Sequence, residues 1–136
     1  MTESANNMNV EVVRLQNEIA ERLSLKPENL IWQFSESGEV TKLDLITVNT
    51  LHRQSFLFHG TQGFSKLDAL YNMLKYAKSY KEIDQPYTIQ WSLRGDGELH
   101  TSYFRAGNIV EALKKFSYGR DINGTVIFSI TLNPIS

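Results

Sequence analysis

Cysteine is absent from this chain of 136 residues, proline occurs three times, and neither sign of charge dominates, with 14 Lys+Arg against 15 Asp+Glu. Without cysteine there is no disulfide, zinc–thiolate, iron–sulfur or thiol chemistry. A formal net charge of −1 argues against a generic binder of nucleic acid or anionic membranes and leaves only local patches to consider. Long hydrophobic runs are missing too. Stretches such as Val126-Ile127-Phe128 are strand-sized, far short of the roughly 18–20 apolar residues a membrane helix needs. The start of the chain, Met1-Thr2-Glu3-Ser4-Ala5-Asn6-Asn7, has neither the basic stretch nor the apolar core of a secretory signal. The expectation is a cytoplasmic protein without membrane association, in which the Asn123-Gly124-Thr125 sequon has no consequence.

What is present is an average globular composition, 41% hydrophobic and 11% aromatic. A chain of this length buries enough surface for one core, so a single domain over residues 1–136 is expected, with 1–8 as a polar tail. Val12, Leu15, Ile19 and Leu23 recur at helical spacing and predict a helix over 9–23, which Pro27 keeps from continuing. Residues 30–51 read as a hairpin turning at Ser35-Glu36-Ser37-Gly38. The end of its second strand is open: His52-Arg53-Gln54 suits a turn, a bulge or the middle of one long strand. Gln54 to His59 reads as a strand, and Gly60-Thr61-Gln62-Gly63 as a break. A helix from Ser65 to about Tyr80 follows, with Ser65 and Asp68 as a capping box and Leu67, Leu70, Tyr71, Leu74 and Ala77 as its apolar stripe.

Tyr87, Ile89, Trp91 and Leu93 alternate with polar residues and predict a half-buried strand. A three-residue Gly95-Asp96-Gly97 turn would pair Arg94 with Glu98, Leu93 with Leu99 and Ile89 with Tyr103; a two-residue Asp96-Gly97 turn would pair Ile89 with Phe104. Asn108 as N-cap and Glu111 three positions on open a further helix with Ile109, Ala112, Leu113 and Phe116 inward. A last strand, Val126 to Leu132, ends at Pro134. From residue 54 the order is βαββαβ over 54–133. The fold class expected is therefore α+β: an antiparallel sheet with two helices on one face, ferredoxin-like, preceded by an N-terminal helix and hairpin. Such an architecture does not fix a function.

Candidate chemistry is sparse. His52, His59 and His100 form neither HxH nor HxxxH, so no metal site and no cofactor are expected. No GxSxG elbow is present, Ser55 and His59 are too far apart along a strand, and the acids fall on helix faces and turns, so no catalytic residue is nominated. Gly60-x-x-Gly63 before a helix lacks the Lys-Ser/Thr pair of a phosphate loop and leaves at most weak anion binding. Lys75, Tyr76, Lys78, Tyr80 and Lys81 interleave basic and aromatic residues and are the candidate nucleic-acid contacts. Two surfaces suit a protein partner. One is the narrow helical row Val12, Leu15 and Ile19. The other is the polar far face of the sheet, with Gln90, Ser92, His100, Ser102, Phe104 and Ile127. The expected function is a non-enzymatic interaction or assembly module of unknown ligand, forming a homodimer. The alternatives are a nucleic-acid binder using helix 65–81, and a small hydrolase or isomerase with a pocket between the sheet and the N-terminal segment, where His100 or His59 meets a carboxylate.

Overall fold

The computed structural model describes residues 2–49 and 54–133; His52, Arg53 and Pro134 lie outside them. The described chain is α+β, with three α-helices and two antiparallel sheets of three strands each. It forms two compact units, Met1–Ser79 and Tyr80–Ser136. No helix among the described residues is long and apolar enough to cross a membrane.

The first unit begins with α1 (Thr2–Leu23). Residues 2–8 are helical rather than a loose tail, consistent with the absence of glycine and proline from this stretch. Ser24 at φ 56° ends the helix, and Leu25 N donates back to Ala20 O. Strand β1 (Leu30–Ser37) runs antiparallel to β2 (Val40–Asn49), pairing Ser37 with Val40 across Gly38 and Glu39. Gly38 at φ 65° is the first central residue, the position where a two-residue hairpin most needs glycine.

Strand β3 (Gln54–Gly63) pairs antiparallel with β2, from Asn49 opposite Gln54 to Thr41 opposite Gly63. Asn49 and Gln54 thus belong to two separate strands, and the residues between them, 50–53, lie outside the described ones. Gly60-Thr61-Gln62-Gly63, expected as a break, continues the strand. Its glycines answer crowding: a Cβ on Gly60 would stand 2.8 Å from Asp44 Oδ1, and one on Gly63 would stand 2.4 Å from Asp68 Cβ. A bulge lets Phe58 and His59 together span the step from Leu45 to Ile46. Helix α2 (Lys66–Ile83) follows.

The core of the first unit gathers Leu15 and Ile19 of α1, Leu30, Leu43 and Leu45 of the sheet, and Ala69, Leu70, Met73, Leu74 and Ala77 of α2. The stripe of α2 is turned from the expected one. Ala69 and Met73 face inward, while Tyr71 is 48% exposed. A phenol needs a polar partner, and the rim of the core supplies one.

The second unit contains β4 (Gln85–Leu93), β5 (His100–Ala106), α3 (Ile109–Ser117) and β6 (Thr125–Leu132). Its strand order is β5-β4-β6, whereas β3 belongs to the β1-β2-β3 sheet. The described strands therefore do not make the four-stranded ferredoxin-like plait. Element order is compatible with several pairings. Joining β3 to its sequence neighbour β2 closes a short loop, which costs less entropy than a distant pairing.

The hairpin register differs from both expectations. Tyr87 faces Phe104, Ile89 faces Ser102 and Trp91 faces His100. Residues 94–99 connect the strands, with Gly95 at φ 88° and Gly97 at φ 68°. The one-residue slip from the three-residue turn sends every β5 side chain to the other face. Arg94 does not pair with Glu98; its backbone N–H donates to Gly124 O and its guanidinium to Asn123 O. The N-cap of α3 forms as expected: Asn108 Oδ1 accepts from Glu111 N at 2.9 Å, and Glu111 Oε2 accepts from the N–H of Gly107, one residue before the cap, at 2.8 Å.

Candidate functional site

The junction of β3 and α2 is tied by side chains that replace missing backbone partners. Ser65 Oγ accepts from Asp68 N at 3.1 Å, and Asp68 Oδ2 accepts from Phe64 N at 3.2 Å. Thr61 Oγ1 donates to Ala69 O at 2.8 Å, and Asn72 Nδ2 donates to Gln62 O at 2.8 Å. These bonds hold the chain while Phe64 projects outward, 81% exposed. Beside it opens a cleft of about 500 Å³ lined by Val40, Gln62, Gly63, Phe64, Asp68, Tyr71 and Asn72.

Acidic groups border the cleft. Tyr71 Oη donates to Glu11 Oε1 at 2.9 Å, and Glu11 also pairs with Arg14, which reaches Glu18 Oε2 at 3.2 Å. The hydrogen bonds from Arg14 and then Tyr71 hold the Glu11 carboxyl below its ordinary value. The same carboxylate raises the Tyr71 phenol, so that it stays a donor. Asp68 lines the cleft and Glu11 is held on Tyr71, while Arg14 is taken by Glu11 and Glu18 and the Lys66 ammonium lies over the Phe34 ring, 5.1 Å from its centroid. Exposed aromatic faces beside carboxylates attract a cation, each ring contributing about 0.5–1 kcal/mol in a solvated setting.

The second unit is built differently. Trp91 packs on Phe116 at 5.2 Å between centroids, and Phe104 meets Phe116 edge-on at 6.3 Å. The Arg120 guanidinium lies over Trp91 and Phe116, 4.7 and 4.9 Å from their centroids. Burial lowers the pKa of Arg120. Lys115 is buried, donates to Arg105 O at 2.7 Å and stands 3.8 Å from Asp84 Oδ2. Burial lowers the pKa of Lys115 more than the carboxylates of Asp84 and Glu111 raise it.

The site residues expected from sequence divide clearly. Leu15 and Ile19 are fully buried and the half-buried Val12 packs against the same core, so this row contributes to the first unit's own packing. Gln90 and Ser92 lie on the polar face of β4, where Ser129 Oγ donates to Gln90 Oε1 at 3.4 Å. His100, Ser102 and Phe104 lie on the opposite, apolar face: His100 stacks on Trp91 at 4.6 Å, and Ser102 Oγ accepts from Trp91 Nε1 at 3.0 Å. Ile127 pairs across from Trp91 because a bulge in β6 shifts the alternation there.

Of the basic–aromatic set, Lys75, Lys78 and Lys81 are exposed. Tyr76 instead stacks on His59 at 3.5 Å and meets Phe58 edge-on at 5.3 Å, the two rings that the β3 bulge brings together. That ring is occupied within its own unit. Burial raises the pKa of Tyr80. The start of α2 does not act as a phosphate loop, since Asp68 and Ser65 cap it. Among the described residues, no histidine lines the cleft. The cleft itself escaped the sequence reading. Its only linear signal is an aromatic, Phe64, between a strand-end glycine and a helix-capping serine. Comparison with known proteins finds no matching family model, curated protein or solved structure.

Proposed function

We propose that the protein is a non-enzymatic interaction module that holds a basic peptide segment in the cleft beside the start of α2. The observation that carries this reading is Phe64, 81% exposed on a hydrogen-bonded junction, with Tyr71 and Asp68 lining the same cleft. Holding a large apolar ring in water forgoes about 1.5–3 kcal/mol of burial. A partner that covers it recovers that free energy on binding. Asp68, and Glu11 bound to Tyr71, favour a lysine or arginine side chain, while Gln62 and Asn72 offer amides for a peptide backbone.

Fluorescence anisotropy with labelled Gly-Arg-Gly-Arg-Gly and Gly-Glu-Gly-Glu-Gly tests the reading. The arginine peptide binds, weakens as salt rises, and loses most of its affinity in Phe64→Ser and Asp68→Asn. Equal binding of both peptides, or variants that bind as well as the parent, contradicts it. Light scattering in the same buffer identifies a second copy as the occupant of the cleft if Phe64→Ser alone converts a dimer to a monomer. That result also contradicts the peptide reading.

A further inference from the structure

The loop after β4 carries three metal-ligating residues at alternate positions, Asp96, Glu98 and His100. Gly97 at φ 68° folds the chain between them, so the loop and not strand alternation brings their side chains together. One donor atom from each of the three comes within 4.8 Å of the others. His100 Nε2 stands 3.7 Å from Asp96 Oδ2, too long for a hydrogen bond, so that bond does not occupy the imidazole nitrogen.

The mixture of donors separates this group from an ordinary patch of surface acids. The imidazole is half-buried and its plane is fixed from behind: the ring stacks on Trp91 at 4.6 Å, and Trp91 Nε1 is itself bound to Ser102 Oγ. Such support of a ligating histidine by its surroundings is what metal sites use to set ring orientation. Asp96 Oδ1 accepts from Glu98 N at 2.9 Å, leaving Oδ2 toward His100. The nearest loop cation, Arg94, is drawn away to Asn123 O, so it does not neutralise the two carboxylates.

We propose that Asp96, Glu98 and His100 bind a first-row divalent cation, zinc by preference. Ligands on an ion with bonds of about 2.0–2.2 Å lie roughly 3–3.5 Å apart, which the loop reaches by small side-chain rotations. One nitrogen and two carboxylate oxygens favour zinc over calcium or magnesium, which prefer all-oxygen shells. Three protein donors leave the rest of the shell to water.

The test uses the full chain with Trp32→Phe, so that Trp91 is the one remaining tryptophan. Zinc chloride is titrated while Trp91 emission and calorimetric heat are followed. The expected result is a saturable change below about 1 mM zinc, with Asp96→Asn and Glu98→Gln each at least about tenfold weaker. Both variants lie in an exposed loop and leave the fold intact by circular dichroism. His100→Ala also removes the ring that stacks on Trp91, so it is read by heat alone, and it abolishes binding. No saturation, zinc binding unchanged in the two carboxylate variants, or calcium binding as tightly as zinc would overturn the assignment.

Discussion

The two units bury their surfaces by different means. The first closes an aliphatic core of leucines, isoleucine, alanines and a methionine from two helices and a sheet, with Thr41 its one polar residue among the buried described residues. The second is smaller and leans on rings: Trp91, Phe104 and Phe116 pack edge-on or stacked, and Lys115, Asp84, Ser102 and Thr125 are buried among them. Aliphatic packing tolerates small shifts, whereas a ring with a polar handle demands a partner at a fixed place. Trp91 Nε1 finds Ser102 only in the observed register. The second unit therefore obtains from directed contacts what the first obtains from volume.

Each unit contains one tryptophan, Trp32 or Trp91, so each can be followed separately in urea. Phe116→Ala should have the largest effect, about 3–5 kcal/mol on the transition seen by Trp91, because it removes the ring both neighbours pack on. Leu45→Ala, directly across from Trp32 on the neighbouring strand, should cost about 2–4 kcal/mol on the Trp32 transition. A larger loss from Leu45→Ala would reverse the ranking of the two cores.

Lys115→Met sharpens the contrast through pH. The folded-state pKa of Lys115 lies below 10.5, its value in the unfolded chain. Between those two values the unfolded state binds more protons, so this group's contribution to stability rises with pH there. The variant should lack that rise, and at neutral pH it should be less stable than the parent, since the buried Asp84 carboxylate loses the cation 3.8 Å away. A rise of equal size in the variant would show that Lys115 is not its source.

The smallest effect belongs to the first unit. Glu11 is held below 4.5, so its contribution is complete above 4.5 and is lost as pH falls through the lowered folded value. Glu11→Gln should remove that acid-dependent increment, together with the alkaline one that Glu11 creates by raising Tyr71, as acid and alkaline titrations of the Trp32 transition would show.

Periodicity made most elements legible. The alternation in Tyr87-Ile89-Trp91, the Asn108–Glu111 cap and the Leu15–Ile19 row all mark local geometry that neighbouring residues dictate. What escaped depends on partners distant in sequence. Nothing near Gln54 states that its strand joins β2 instead of β5. Loop length after Leu93 sets the face of every β5 residue, and the pairing of Arg94 with Asn123 and Gly124 that helps fix it lies about thirty positions away. Gly60 and Gly63 were read as breakers because a close approach to Asp44 or Asp68 leaves the same mark as a turn. The cleft was hidden for a related reason: Tyr71 satisfies a helical stripe on paper, and only the turned helix places it at the rim beside Glu11.

The most direct test of the cleft as the recognition surface is a two-dimensional amide NMR titration with the Gly-Arg-Gly-Arg-Gly peptide. Saturable shifts gathered at Gln62, Gly63, Phe64, Asp68, Tyr71 and Asn72, and absent in Phe64→Ser, are the predicted result. Shifts spread evenly over the exposed acids, or centred outside these residues, would contradict it.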